Sequence, residues 1–245
     1  MEIITSVNNN RIKELAKLHT KKYRDESKFF LVEGDHLVNE AYKKNQLVEI
    51  FALESFNEKL DVETTIVSEE VMKKLSNQVS ISNVIGVCRK FYPLTYGKRL
   101  IVLDNLQDPG NLGTIIRSAA SFNFDTVILG DNSVDLYNDK VIRASEGMIF
   151  NVDVLKYNLD TFIDELKSNN YDIYTTDVNG GKAISDVEFN EKFAIIIGNE
   201  GNGVGKIRDK ADHKIYIPMN KKCESLNAAV ASSIIMYEVS KRDYE

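Results

Sequence analysis

From Arg99 to the carboxyl end, six short runs rich in β-branched residues recur between helical stretches: RLIVLD, DTVILG, NVDVLK, YDIYTTD, FAIIIG and KIYIP. Most are apolar on both faces, so they must be covered from both sides. Strands of this kind alternating with helices predict a mainly parallel sheet between helical layers, an α/β fold. Ligands of such sheets bind beyond the carboxyl ends of the strands. Three loops at those ends have the content of a site: DNLQDPGNLG, GNEGNGVG and PMNKKCESLN.

A separate unit precedes this one. Pro93 and Gly97 punctuate FYPLTYGKRL, which marks a boundary. Before it, helices from about Asn10 to Lys22, at HLVNEAYKK and at EEVMKKLSN alternate with strands at FFLVEG, VEIFAL and VIGVCRKF. The expected division is a small α/β domain over 1–94 and a parallel-sheet domain over 95–245. No run of about 18 apolar residues is present, and MEIITSVNNN lacks the pattern of a signal peptide. Cys88 and Cys223 read as free thiols of a reducing cytosol, and His19, His36 and His213 have no metal-ligand spacing.

A net charge of −6 argues mildly against a nucleic-acid partner. The charge is uneven, however. RIKELAKLHTKKYRDESK carries seven Lys or Arg, among them Arg11, Lys13, Lys21, Lys22 and Arg24, against three acids. A solvated amphipathic helix and an RNA-docking surface both fit that pattern.

The glycine loop after FAIIIG fails the known phosphate patterns. A Walker A reading puts Glu200 at its first position and Ile207 where a hydroxyl is needed. A dinucleotide reading puts Lys206 at the third glycine, and no ribose-binding acid is evident on a following strand. Glu200 would repel a pyrophosphate, so a neutral or cationic nucleoside fits better. In the first loop Asn111 is a credible N-cap, followed by a polar stripe of Thr114, Arg117, Ser118 and Ser121 opposite a buried face. In the third loop Ser225 could cap a last helix from about Ser225 to Lys241. Asn227, just inside that helix, is a poor helix former that needs another reason to be there. Leu226, Ala229, Val230, Ser233, Ile234 and Tyr237 keep helical spacing, as core or as a subunit interface.

Taken in order, NLGTIIRSAASF, IIIGNEGNGV and IPMNKKCESLNAAVASS resemble the three motifs of the SpoU family of RNA ribose 2′-O-methyltransferases, within the knotted methyltransferase superfamily. IRASEGMIF also resembles a family segment, with Arg143 and Ser145 in place and Glu146 where a small or apolar residue is typical. Asn123 stands where a glycine is usual, and asparagine tolerates positive φ. The first domain, through FLVEGDHLVNEA and VIGVC, is similar to the family's RNA substrate-binding domain, itself like a ribosomal-protein fold.

The resemblance implies a deep trefoil knot, S-adenosylmethionine as methyl donor and a homodimer, beside the cytoplasmic location and the absence of a metal expected from the cysteines and histidines. It implies an RNA substrate, ribosomal RNA first and transfer RNA second. By motif position, Gly198, Ile217 and Leu226 contact the cofactor, and Asn111, Arg117, Glu200, Ser225 and Asn227 form the catalytic group. RNA binding falls to Arg11, Lys13, Lys21, Lys22, Arg24 and Arg143. The alternative is a non-catalytic RNA-binding or ribosome-assembly protein of the same fold.

Overall fold

The computed structural model describes residues 3–178, 180–199, 201, 203–220 and 222–244, the side chain of Arg242 excepted. The chain forms two compact units, Met1–Phe91 with Tyr137–Phe150 and Tyr92–Leu136 with Asn151–Glu245. Helices α1 (Asn10–Ala16), α2 (Lys21–Ser27), α3 (Asp35–Lys43) and α4 (Glu69–Leu75) belong to the first unit and α5 (Pro109–Ser121) to the second. Then α6 (Asp139–Ala144) lies in the first, and α7 (Leu159–Ser168) and α8 (Ala228–Ser240) in the second.

The first unit holds four strands, β1 (Phe29–Glu33), β2 (Leu47–Ala52), β3 (Glu63–Ile66) and β4 (Val84–Arg89), in the order β1-β4-β2-β3. Only the β2/β3 pair is parallel. Ile12 and Leu15 of α1 and Val71, Met72 and Leu75 of α4 pack against Phe51, Ile85 and Val87 of the sheet. The single helix expected from Asn10 to Lys22 is broken: a 3-10 turn covers Lys17–His19, and Thr20 is extended at φ −102° and ψ 139°. The buried Arg24 fixes the break, its Nη1 donating to the Leu18 carbonyl at 2.7 Å.

The segment Tyr137–Phe150 was expected in the second domain, yet it packs in the first unit. The Tyr137 hydroxyl donates to Phe91 O at 2.9 Å and accepts from Phe91 N at 3.0 Å. Its ring lies 4.6 Å from that of Phe30, which also stacks on Phe150. Aromatic burial with a satisfied hydroxyl outweighs continuity of the chain here.

The second unit contains a seven-stranded, wholly parallel sheet. Its strands are β5 (Arg99–Leu103), β6 (Thr126–Gly130), β7 (Asp153–Tyr157), β8 (Asp172–Thr176), β9 (Lys182–Ala183), β10 (Phe193–Ile197) and β11 (His213–Tyr216). The order is β7-β6-β5-β10-β8-β11-β9. Leu100, Val102, Ala194 and Ile196 face Phe162, Ile163 and Leu166 of α7. Ile101, Leu103, Ile195 and Ile197, one residue out of phase, turn to the opposite face and are as deeply buried. After β5 the chain runs outward through β6 to β7, whereas β10 is laid between β5 and β8 and leads on to β11. The chain therefore leaves β5 and β10 toward opposite edges of the sheet, a topological switch point of the kind at which ligands of such sheets bind. Asn123 adopts φ 54°, the left-handed conformation expected of it.

Lys90 illustrates how the first unit handles a buried charge. Its ammonium group is held by Asp25 Oδ1 at 2.6 Å and lies 4.9 Å from the centroid of the Tyr137 ring. That hydrogen bond holds the Asp25 carboxyl below its ordinary range. The pair therefore stabilises the fold above the pKa of an unfolded aspartate, and the gain is lost as pH falls through the depressed folded value. Asp25→Asn is expected to cost about 1–2 kcal/mol at pH 7, the low end for a charged hydrogen bond because solvent screens the half-exposed carboxylate. Urea unfolding of both proteins at pH 7 and pH 3 checks this; the difference between them should shrink at the acid end.

Candidate active site

The three loops singled out in the sequence are joined to one another at the carboxyl ends of the central strands. The first and second are joined by Gly205 N–H donating to Asp104 Oδ2 at 2.8 Å and by Asn199 Nδ2 donating to Asn105 O at 2.9 Å. Asn227 Nδ2 donates to Asn111 Oδ1 at 3.0 Å and joins the first loop to the third. The second and third line one cavity of about 370 Å³, with Gly198, Ile217, Leu226 and Ser225 in its wall. That is within the size range of small-molecule sites.

Two helix starts differ from expectation. The cap of α5 is Asp108, whose carboxylate accepts from Asn111 N at 2.7 Å, so Asn111 sits inside the first turn. Pro109 is pre-set for the first helical position, which puts the cap at Asp108 and leaves the Asn111 side chain for other contacts. The cap of α8 is Asn227 rather than Ser225: its Oδ1 accepts from Ala229 N at 3.0 Å and Val230 N at 3.2 Å. Its poor helix propensity is thus explained, since it precedes the helix. The same amide reaches Asn111 with its nitrogen, so one side chain fixes a helix start and a cross-loop contact.

The polar stripe of α5 divides by neighbour. Ser118 Oγ meets Ser233 Oγ of α8 at 2.7 Å, and Ser121 Oγ donates to Arg117 O at 2.9 Å. Arg117 is exposed, and its guanidinium has no partner among the described residues. It lies six residues beyond Asn111, roughly 9 Å along the helix axis. Glu200 lies outside the described residues.

The glycine loop folds on itself. Asn199 and Gly203 exchange backbone hydrogen bonds of 3.0 and 2.9 Å. A Cβ on Gly198 would stand 2.0 Å from the Gly203 carbonyl carbon and 2.2 Å from Val204 N. Gly198 is therefore required by the return of its own loop, before any ligand is considered. Three charged groups at the cavity were not anticipated: Asp177, Glu224 and Arg208. Asp177 follows β8, which is remote from the glycine loop in sequence and adjacent to β10 in the sheet. Pairing order was the missing signal.

The cations read as RNA-binding sit differently from one another. Lys13, Lys21 and Lys22 are exposed. Arg11 donates from Nε to Glu49 Oε1 at 3.0 Å, and Arg143 pairs with Asp139 at 3.1 Å. Arg24 is buried on the Leu18 carbonyl, so it holds the turn and presents no surface charge. On α8 the expected apolar face is split. Ala229 is buried, whereas Val230, Ile234 and Tyr237 are 48%, 38% and 54% exposed at helical spacing.

Comparison with known proteins is consistent along the whole chain. Residues 98–237 match the model of the SpoU rRNA Methylase family, and residues 9–86 match an MRM3-like substrate binding domain. The Bacillus subtilis (strain 168) protein named 23S rRNA (guanosine(2553)-2′-O)-methyltransferase RlmP is 37% identical over 98% of this chain and 99% of its own. A solved RNA 2′-O ribose methyltransferase superposes with a TM-score of 0.85 at 28% identity, covering 100% of both chains. An AdoMet-bound rRNA methyltransferase from Sinorhizobium meliloti shares the fold, with a TM-score of 0.88 at 24% identity over 98% of each chain. With its second unit matched to the family model and a relative alike from end to end, the chain belongs to the SpoU rRNA methylase family.

Proposed function

We infer that the protein transfers a methyl group from S-adenosylmethionine to a ribose 2′-hydroxyl of ribosomal RNA, in the cytoplasm. The observation that carries this reading is the convergence of three loops, with the Asn111–Asn227 pair beside the glycine-loop cavity. The family and the name of the Bacillus subtilis relative support the substrate. The family resemblance also implies a trefoil knot at the carboxyl end. Placement of β10 between two strands that precede it, with Ile217, Met219 and Leu226 lining one cavity with its loop, supports that reading.

The cavity suits this cofactor. Its walls include Ile197, Val204, Ile217, Leu226 and Ile235, an apolar bed for an adenine ring, and Asp177 and Glu224 lie at its edge. With Arg208 also in the lining, the two acids leave a net negative charge, which favours a cation over a phosphate. When bound, S-adenosylmethionine supplies an activated methyl group on a sulfonium centre. Gly198, Ile217 and Leu226 would hold it, with Ser225 lining the same wall.

The ribose hydroxyl must shed a proton as it attacks. Arginine stays protonated in proteins, so Arg117 acts as a stabiliser of the neighbouring phosphate and of the charge developing on the 2′-oxygen. Asn227, fixed at both ends, orients Asn111 toward the ribose. Placement of these groups supplies much of the acceleration.

The exposed stripe of Val230, Ile234 and Tyr237 supports a homodimer through α8. Arg117, on the helix packed against α8, then completes a site that draws on both copies. The exposed Lys13, Lys21 and Lys22 of the first unit, with Arg11 and Arg143 beside their acids, dock the RNA backbone.

Incubation with labelled S-adenosylmethionine and ribosomal RNA, followed by nucleoside mass spectrometry, tests the whole reading; a 2′-O-methylated nucleoside is expected. Label found only on transfer RNA, or on a base, would refute the assignment. Arg117→Ala should lower kcat by roughly 10²–10³-fold, as for loss of one oxyanion donor, while calorimetry finds the cofactor Kd unchanged. Reversing Lys13, Lys21 and Lys22 to glutamate should flatten the slope of log K against log salt by about 0.7–0.9 for each phosphate that is no longer neutralised. Ile234→Glu should convert a dimer to a monomer in sedimentation.

A further inference from the structure

Dinucleotide folds complement their glycine loop with an acid at the end of the neighbouring strand, which takes the ribose hydroxyls. No such acid follows β10 along this chain. The sheet supplies one from the other direction, because β8 lies beside β10 and ends at Thr176, one residue before Asp177. This strand end is fixed to both neighbours. Thr176 Oγ1 donates to Ile196 O of β10 at 3.0 Å, and Asp177 N donates to Ile215 O of β11 at 3.0 Å.

The Asp177 side chain is 19% exposed and lines the cavity shared by Gly198, Ile217 and Leu226. Arg208 Nη1 stands 3.9 Å from its Oδ2. That is beyond hydrogen-bond reach, so the guanidinium balances the charge without occupying the acceptor from that side. A carboxylate offers about four lone-pair positions, enough to accept two hydroxyls beside its existing partners. Its acceptor-only character matches a vicinal diol, which brings two donors, and opposes a phosphate.

We propose that Asp177 is the ribose-recognising acid of the cofactor site, its carboxylate accepting from the 2′- and 3′-hydroxyls of the adenosine moiety, with Arg208 as its charge balance. This rests on the S-adenosylmethionine reading above. The site then selects ribonucleoside ligands over deoxy analogues, because loss of the diol removes two charge-assisted hydrogen bonds to a partly buried carboxylate.

Calorimetry on the full-length protein tests it with three probes: S-adenosylhomocysteine, 5′-methylthioadenosine and 5′-methylthio-2′,3′-dideoxyadenosine. The wild type should bind methylthioadenosine at least about 10-fold more tightly than the dideoxy analogue, the scale of one good hydrogen-bonding subsite. Asp177→Ala should remove that preference, weakening methylthioadenosine to the level of the dideoxy compound and leaving the latter within about twofold. Asp177→Asn, which keeps one acceptor, should retain part of the preference and serves if the alanine variant does not fold. A wild type indifferent to the diol overturns the proposal, as does an alanine variant that weakens both ligands equally. A wild type that binds none of the three overturns the cofactor reading itself, a result distinct from either.

Discussion

Asp104 follows β5 with a buried carboxylate, and both of its oxygens are engaged: Oδ2 accepts from Gly205 N and Oδ1 from Asn105 Nδ2, each at 2.8 Å. Asn105 is turned into the left-handed region at φ 56°, which aims its carbonyl at Asn199. Two adjacent parallel strands whose loops diverge would otherwise leave the loop ends unconnected. A buried N–H without an acceptor costs about 1–3 kcal/mol, so the Gly205 amide holds the returning loop against β5. The wall of the cavity follows from that contact. So does the path from Asn105 to Asp108, where α5 begins.

The second anchor is the start of α8. Had Ser225 capped the helix, Asn227 would have pointed away with the helical surface. Placing the cap at Asn227 turns its amide nitrogen toward Asn111 while its oxygen satisfies two backbone donors. The α5 and α8 helices then lie side by side, joined by Ser118 and Ser233 and by the Phe122 and Tyr237 rings at 5.8 Å. The small side chains allow the backbones close, and the edge-on rings close the far end of the contact. Both helices thus present their first turns to one crevice.

Much of this was legible in the sequence, and the failures have physical causes. Runs such as LIVL and FAIII are apolar on both faces, so their burial in a parallel sheet follows from composition. The positions of Asn111 and Asn227 were visible too, but their capping roles were exchanged with Asp108 and Ser225, because capping is decided by backbone geometry shared among several competent residues. The split of the first helix at Thr20 carries no glycine or proline; it depends on Arg24 reaching back to a carbonyl, a contact between residues that look like two solvated neighbours. β3 and β9 were missed because four and two residues are too few for a period. Asp177 was missed because the neighbour of β10 is set by sheet order, which no local pattern encodes.

Glycine loops that bind phosphate do so by leaving backbone N–H groups free to converge on an anion. In this loop four of the donors among the described residues are already committed. Asn199 N and Gly203 N bond to each other's carbonyls, Gly201 N donates to Asn199 Oδ1 at 2.9 Å, and Gly205 N donates to Asp104. The glycines serve the tight return of the chain, as the 2.0 Å clearance at Gly198 requires. What remains for a ligand is an apolar bed with carboxylates at its edge. Two carboxylates against the single guanidinium of Arg208 leave that lining net negative, which disfavours a pyrophosphate. A nucleoside carrying a cationic centre finds van der Waals contact for its ring, acceptors for its hydroxyls and a net negative lining, so the chemistry of the loop and the chemistry of the cavity select the same class of ligand.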